Sequence, residues 1–304
     1  MEDIAILPIT RVRRFNRIVA EEIGALTDQF LGRDRPMAES RLIWEIGPDG
    51  VEVRELRARL SLDSGYFSRI LRSLEGQALL TVLPSAADGR VRTIKLTAAG
   101  LAERGELDRR SDDVAAGILA PLTDRQRARL VAAMGEVENL LRASMVRVAV
   151  EDPGTADAIW CLGQYFQELD RRFKAGFDPA RSIPADDDDL RLPAGLLLVA
   201  RLHGRPIGCG ALKFHGSAPA ELKRMWIAPD ARGLGLGRRM LRELEEQAAS
   251  HHVPTLHLET NASLTEAIAL YRTSGYREVA AFNDEPYADH WFEKKLGPLP
   301  RPQP

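Results

Sequence analysis

Apolar positions follow two rhythms along this chain, and the change between them marks a division. In the first half the period is helical. Met37–Ile46, Val53–Leu60 and Ser64–Gln77 read as short helices, and in the last of these Phe67, Ile70, Leu71 and Leu74 share one stripe opposite Gly65, Arg69 and Arg72. Asp63 stands where an N-cap is wanted. Leu79–Leu83 and Arg90–Leu96 read as a hairpin around the turn 84–89, and Thr10–Leu31 and Leu122–Ser144 flank the group as longer amphipathic helices. From Val146, Val148 and Val150 onward the alternation of strands takes over. Leu196–Leu202 and Pro206–Phe214 form a hairpin, Thr255–Thr260 a strand and Leu264–Gly275 a helix. The pattern therefore predicts two domains, 1–144 and 145–296, followed by a proline-rich tail, 297–304, that is expected to be disordered.

Composition narrows the function classes. At 304 residues the chain can bury two cores, and its net charge of −2 gives no global attraction to nucleic acid. Any such attraction must be local, and between Glu52 and Lys95 eight basic residues stand against five acidic ones. Cys161 and Cys209 are far apart in sequence and lack ligand spacing, so neither a metal site nor a disulfide framework is indicated. No apolar run reaches membrane length and the N-terminus lacks a signal pattern, so a cytoplasmic protein is expected. The acidic run Asp186–Asp189 reads as an exposed loop.

The most specific chemistry lies between Glu221 and Arg238, ELKRMWIAPDARGLGLGR, where a strand, a Pro-Asp break and a glycine-rich arc lead into the helical pattern Met240, Leu241, Leu244, Ala248. Glycines let bare N–H groups approach phosphate oxygens, and the first turn of the helix adds unpaired N–H groups and its positive dipole end. A phosphate-gripping lysine loop would need Gly-Lys-Ser/Thr, which is absent. A dinucleotide fingerprint fails because its last glycine position falls on Arg238 or Met240.

What remains, Arg-x-x-Gly-x-Gly directly after a strand, resembles the GCN5-related N-acetyltransferase (GNAT) family. The phrases Ile207-Gly208-Cys209-Gly210 and Leu270-Tyr271-Arg272-Thr273-Ser274-Gly275-Tyr276 extend the resemblance over residues 145–296. It implies an α/β fold with a mixed, mostly antiparallel sheet and acetyl-coenzyme A as cofactor. The diphosphate would lie on Arg232, Gly233, Leu234, Gly235, Leu236, Gly237 and Arg238, with the pantetheine arm along Met225, Trp226 and Ile227. Asn261 would orient cofactor or substrate, or cap a helix.

Acetylating an amine requires removal of a proton held with a pKa near ~10.4, which costs about 4–5 kcal/mol at pH 7. By the resemblance Glu221 is the general base, its pKa raised by partial burial; alternatively it ends a strand and pairs with Lys223 or Arg224. Glu259 is a second candidate base or holds the substrate amine. Tyr271 is placed to protonate the departing sulfur, or else fills the core, and backbone N–H groups of Met225 to Ile227 would receive the oxyanion. The terminal segment from Phe282 through Leu296 resembles the family's last strand, and His290 within it is a candidate acceptor ligand or base, or a structurally satisfied histidine.

The first half resembles the MarR family of winged helix-turn-helix regulators, through Asp63-Ser64-Gly65-Tyr66-Phe67-Ser68-Arg69 at the start of a recognition helix and Asp88-Gly89-Arg90 in a wing. The resemblance implies a mainly α winged helix-turn-helix that dimerises through its terminal helices on double-stranded operator DNA. Ser64, Gly65, Tyr66, Ser68, Arg69 and Arg72 would face the groove, and Arg90 and Arg92 would lie in the wing. The expected whole is a regulator fused to an N-acetyltransferase acting on a small amine or amino acid. The alternatives are a regulator whose second domain senses an acyl-coenzyme A without turnover, and an enzyme whose first domain is only a scaffold.

Overall fold

The computed structural model describes residues 3–23, 31, 35–60, 62–84 and 91–297. Contacts divide the chain into Met1–Met134 and Gly135–Pro304.

The first unit holds α1 (Asp3–Glu22), α2 (Met37–Ile46), β1 (Val51–Glu52), α3 (Val53–Leu60), α4 (Ser64–Gly76), β2 (Leu80–Pro84), β3 (Arg92–Leu96) and α5 (Ala98–Leu119). The division falls within the next helix, α6 (Asp124–Met145). Asp63 caps α4 by accepting the N–H groups of Gly65 and Tyr66 at 2.9 and 3.1 Å. Those donors hold its carboxyl below the ordinary value. The stripe Phe67, Ile70, Leu71 and Leu74 is buried against Leu42, Ile43, Leu56 and Ile94. β2 and β3 form the antiparallel hairpin that follows α4, and β1 completes a small sheet in the order β1-β3-β2. This succession of helices and hairpin is that of a winged helix-turn-helix.

Two expectations change here. The N-terminal helix begins at Asp3, before the apolar pattern at Thr10, and its expected end near Leu31 runs into residues 24–30, outside the described residues. Segment 98–119, for which no element was expected, is a 22-residue helix that buries only Gly100 and Leu107, and its sparse large apolar residues make no clear stripe.

The second unit contains β4 (Arg147–Glu151), α7 (Ala156–Arg172), β5 (Gly195–Leu202), β6 (Arg205–His215), β7 (Ala218–Ile227), α8 (Leu236–Ser250), β8 (Thr255–Thr260), α9 (Thr265–Thr273), β9 (Arg277–Val279) and β10 (His290–Lys295). The sheet order is β4-β5-β6-β7-β8-β10-β9. All neighbours are antiparallel except β7 and β8, which run parallel and pair at Ala220–Leu256 and Glu221–His257. Successive residues of a strand face opposite sides. Cys209 meets Cys161 of α7, whereas a Cβ on Gly210 would meet Leu244 of α8 at 2.8 Å, so α7 and α8 cover opposite faces of the sheet. Both cysteines are buried and free, although their thiols, distant in sequence, touch.

One irregularity positions the site. Opposite β6 the register runs from Cys209–Trp226 to Ala211–Lys223, so β7 carries one residue too many. Arg224 takes up this bulge with φ 56°, a left-handed conformation uncommon for a residue with a side chain. Beyond Glu221, β7 leaves β8 and presents the edge Met225–Ile227.

The last strand is shorter than expected, because residues 280–289 form a loop before β10. The acidic run is a short 3-10 turn, Asp187–Leu190, in which Leu190 is buried and Asp189 accepts from Lys213 Nζ at 2.8 Å. The tail beyond residue 297 lies outside the described residues.

Candidate functional site

After β7 a 3-10 turn at Pro229–Ala231 leads into the glycine arc. Gly233 and Gly235 have φ 84° and 70°, and a Cβ on either would meet nothing within 4 Å. Backbone conformation rather than crowding therefore demands glycine, and the arc stays open to a ligand. The first bond of α8 runs from Arg239 N to Gly235 O at 3.1 Å, leaving the N–H groups of Leu236, Gly237 and Arg238 without helical acceptors.

A cleft of about 500 Å³ runs between this arc, the β7 edge and helices α7 and α9. Of the residues expected to hold the cofactor, Met225, Trp226, Ile227, Arg232, Gly233, Gly235, Leu236, Gly237 and Arg238 line it. Leu234 does not: its side chain turns inward and anchors the arc in the core. Arg232 is committed to structure as well, its Nε donating to Ile227 O at 3.1 Å and its Nη2 to Glu168 Oε2 at 2.5 Å. Glu168, buried on α7, also accepts from Trp226 Nε1 at 2.9 Å and from Arg172 Nη1 at 3.3 Å. This carboxylate ties arc, strand and helix together at the mouth of the cleft. The sequence reading missed it because it assigned no helix to 156–172.

A second, smaller cavity of about 90 Å³ shares Tyr165, Leu169, Met225, Leu264 and Ala267 with the cleft, so the two meet beside the β7 bulge. Lys223, Glu259, Tyr271 and Asn261 line it. Lys223 is buried, and its Nζ pairs with Glu259 Oε1 and, at 2.9 Å, with Glu221 Oε2. Burial would lower the lysine's pKa, but the charges of Glu259 and Glu221 outweigh it and the net shift is upward. The other oxygen of Glu259, Oε2, is buried with no hydrogen-bond partner.

Three sequence-derived candidates are engaged in structural contacts, Glu221 in the pairing with Lys223 and His290 in the satisfied state that were named as their alternatives. Glu221 lines neither cavity. Its carboxylate is tied to Lys223 and, at 3.2 Å, to His215 Nε2, and although burial pushes its pKa up, the lysine and histidine prevail and lower it. The anticipated upward shift is thus reversed. Asn261 faces the smaller cavity, not the cleft, and its amide is engaged: Nδ2 donates to Tyr287 O at 2.8 Å and Oδ1 accepts from Ser263 N at 2.9 Å. His290 is on β10 opposite Thr260, with Nδ1 2.6 Å from Glu278 Oε1, and lines neither cavity. Tyr271, on α9, lines the smaller cavity and not the cleft. Burial pushes its hydroxyl well above the ordinary phenol range, with Tyr165 and Glu259 adding to the shift.

Sequence reasoning also missed the aromatic wall of the smaller cavity. Phe173 and Phe177 stand 5.7 and 4.8 Å from Tyr287, whose hydroxyl accepts from Asp178 N at 3.0 Å. Glu285 fixes the same loop by accepting from Ser182 Oγ at 2.9 Å and Ile183 N at 2.7 Å.

Comparison with known proteins decides the family. The model of the acetyltransferase (GNAT) family matches residues 163–276. An IAA acetyltransferase of Azospirillum brasilense is 35% identical over 138 residues, which are 45% of this chain and 88% of that protein. The chain belongs to the GNAT family. The N-alpha-acetyltransferase RimI of Mycobacterium tuberculosis is 32% identical over 127 residues, 41% of this chain and 75% of that one. Membership of the GNAT family supports use of an acyl-coenzyme A donor in general, and the open arc, the helix N–H groups without helical acceptors and the β7 edge that has left β8 fit such a molecule.

The GNAT domain shares its chain with the winged helix-turn-helix unit. A MarR mutant from Escherichia coli complexed with operator DNA is similar to 44% of this chain over 95% of its own length, with 23% identity and a TM-score of 0.36. The winged-helix assignment rests on the elements themselves. On α4, Ser64, Gly65, Tyr66, Ser68, Arg69 and Arg72 are all exposed, opposite the buried stripe. The Arg69 guanidinium lies 5.6 Å from the Tyr66 ring centre, and Arg72 Nε donates to Ser68 O at 3.3 Å. Arg92 is exposed at the start of β3, whereas Arg90 and Asp88 lie outside the described residues. Among the described residues no helix is long and apolar enough to cross a membrane.

Proposed function

We propose that this protein is a DNA-binding transcriptional regulator and an acetyl-coenzyme A-dependent N-acetyltransferase acting on a small amine or amino acid. Residues 1–144 would bind DNA and dimerise, and 145–296 would carry the transferase. Acting on DNA places it in the cytoplasm of a prokaryote-like cell. The observation that carries the enzymatic reading is the junction of the two cavities at Met225, with the unpartnered buried oxygen of Glu259 on the acceptor side.

A buried carboxylate oxygen without a donor is costly, and an ammonium group supplies the missing one. Lys223 holds the other oxygen and keeps the carboxylate oriented. Glu259 then takes a proton from the acceptor and frees its lone pair. Acetyl-coenzyme A, when bound, supplies the acetyl thioester. The backbone edge at Met225–Ile227 orients it and offers N–H groups to the carbonyl oxygen. Tyr271, protonated at any physiological pH, hydrogen-bonds the departing sulfur. Incubation with acetyl-coenzyme A and a panel of amines is expected to release free thiol, and a broad panel without release above background would refute catalysis.

The displaced position of Glu221 favours a second reading, in which the GNAT domain senses an acyl-coenzyme A and biases DNA affinity without turnover. A ligand-induced change in operator binding, in a chain that releases no thiol, would establish it.

For DNA binding, the exposed α4 face supplies the arginines, and exposed Val12, Phe15 and Ile18 on α1 with Val131 and Met134 on α6 supply apolar surface for a dimer. Arg69→Ala with Arg72→Ala is expected to weaken operator binding. If both contact phosphate, the log–log salt slope shrinks by about one for each arginine. Unchanged binding would exclude α4 as the reading helix.

A further inference from the structure

The two charged residues at the β7 bulge are treated unequally by the fold. Lys223 is bracketed by Glu221 and Glu259. Arg224 lines the same acceptor cavity, yet among the described residues no carboxylate pairs with it. Its guanidinium carbon lies 4.8 Å from the Phe166 ring centre and 5.7 Å from that of Tyr165, and Nη2 donates weakly to Ala185 O at 3.4 Å. It also occupies the left-handed backbone region, with φ 56°. Such strain is avoided by glycine or asparagine, and an arginine that keeps it while lacking an anionic partner is poised for an anion from outside.

Opposite charges are thus presented to one acceptor. Glu259 offers a buried carboxylate oxygen without a donor, and its side chain is 92% buried, being 8% exposed. Arg224 offers a planar fork of N–H donors. Phe173, Phe177 and Tyr287 line the same cavity. An acceptor that satisfies all three carries an ammonium, a carboxylate and an aromatic or large apolar group. We propose that the acceptor is an aromatic α-amino acid or a close analogue, with its amine on Glu259, its carboxylate on Arg224 and its ring on the aromatic wall. This rests on the acetyltransferase reading above. The amine nitrogen bonds to the acetyl carbon and the carbon–sulfur bond breaks. One ammonium proton goes to Glu259, a second passes from the nitrogen to the coenzyme sulfur, and the third stays as the amide N–H, giving N-acetyl amino acid and free thiol.

The test measures thiol release from acetyl-coenzyme A with phenylalanine, phenethylamine, alanine and spermidine. Phenylalanine is expected to exceed phenethylamine in kcat/KM by on the order of tenfold or more, because only the former engages Arg224. Alanine should fall below phenylalanine for want of the ring. In Arg224→Gln the ratio of phenylalanine to phenethylamine should collapse toward one through KM, and Arg224→Lys should restore part of it. Calorimetric binding of acetyl-coenzyme A by each variant shows that the fold survives. Phenethylamine or spermidine turned over as well as phenylalanine, or a ratio unmoved by Arg224→Gln, overturns the proposal and leaves the acetyltransferase standing. No thiol from any acceptor, with coenzyme still bound, removes both.

Discussion

Gly235→Asp is expected to weaken acetyl-coenzyme A binding at least about a hundredfold, roughly 2.7 kcal/mol, while the chain stays folded. Gly235 precedes α8 with φ 70°, in space where a Cβ meets nothing within 4 Å. Aspartate tolerates this left-handed conformation better than most residues, and a carboxylate at a helix N-cap is favourable for the helix itself. The fold therefore loses little. The ligand loses much, because the new charge competes for the N–H groups of Leu236, Gly237 and Arg238 and repels the diphosphate that would otherwise take them. Calorimetry would read the affinity, and the circular dichroism melting curve would report on folding. An affinity within threefold of the parent would mean that the arc does not grip phosphate.

Glu259→Gln should lower kcat by on the order of 10²–10⁴-fold, the usual range for loss of a general base, with coenzyme affinity little altered. The amide cannot accept the proton, and it places an NH₂ group where either Lys223 or the incoming ammonium needs an acceptor. Glu221→Gln supplies the contrast. Glu221 lines neither cavity and touches the chemistry only through Lys223, so its replacement should cost less than about tenfold, an effect passed on through the lysine. Steady-state rates of both variants on one acceptor decide the matter. If Glu221→Gln proves the more damaging, the proton passes to Glu221 after all, through a path that the cavities do not trace.

The readable parts of this chain were those in which local chemistry and global fold coincide. The arc at Gly233–Gly237 announces itself because positive φ admits few residues but glycine, and α4 because its N-cap and its apolar stripe agree. The helix α5 escaped because its large apolar residues, Leu101, Leu107, Val114, Ile118 and Leu119, are sparse and interrupted by Gly105 and Gly117, so its sequence carries no clear stripe. The acceptor cavity escaped for another reason. Phe173 and Phe177 follow α7, Tyr287 sits in a loop more than a hundred residues on, and only the closed sheet brings them together. The pairing of Glu221 with Lys223 was one of the two readings its sequence allowed, whereas the bulge at Arg224 beside it was not foreseen. A bulge held by arginine leaves no trace in periodicity.

The narrow parallel seam between β7 and β8 gives the donor molecule a second office. With two residue pairs joining the halves of the sheet, a pantetheine chain laid along Met225–Ile227 would supply the missing rungs and act as mortar between them. Occupancy at a hundred times the dissociation constant stabilises the folded form by about 2.7 kcal/mol through mass action alone. On the proposed reading, the lifetime of this half against proteases would follow the supply of its acyl-coenzyme A donor.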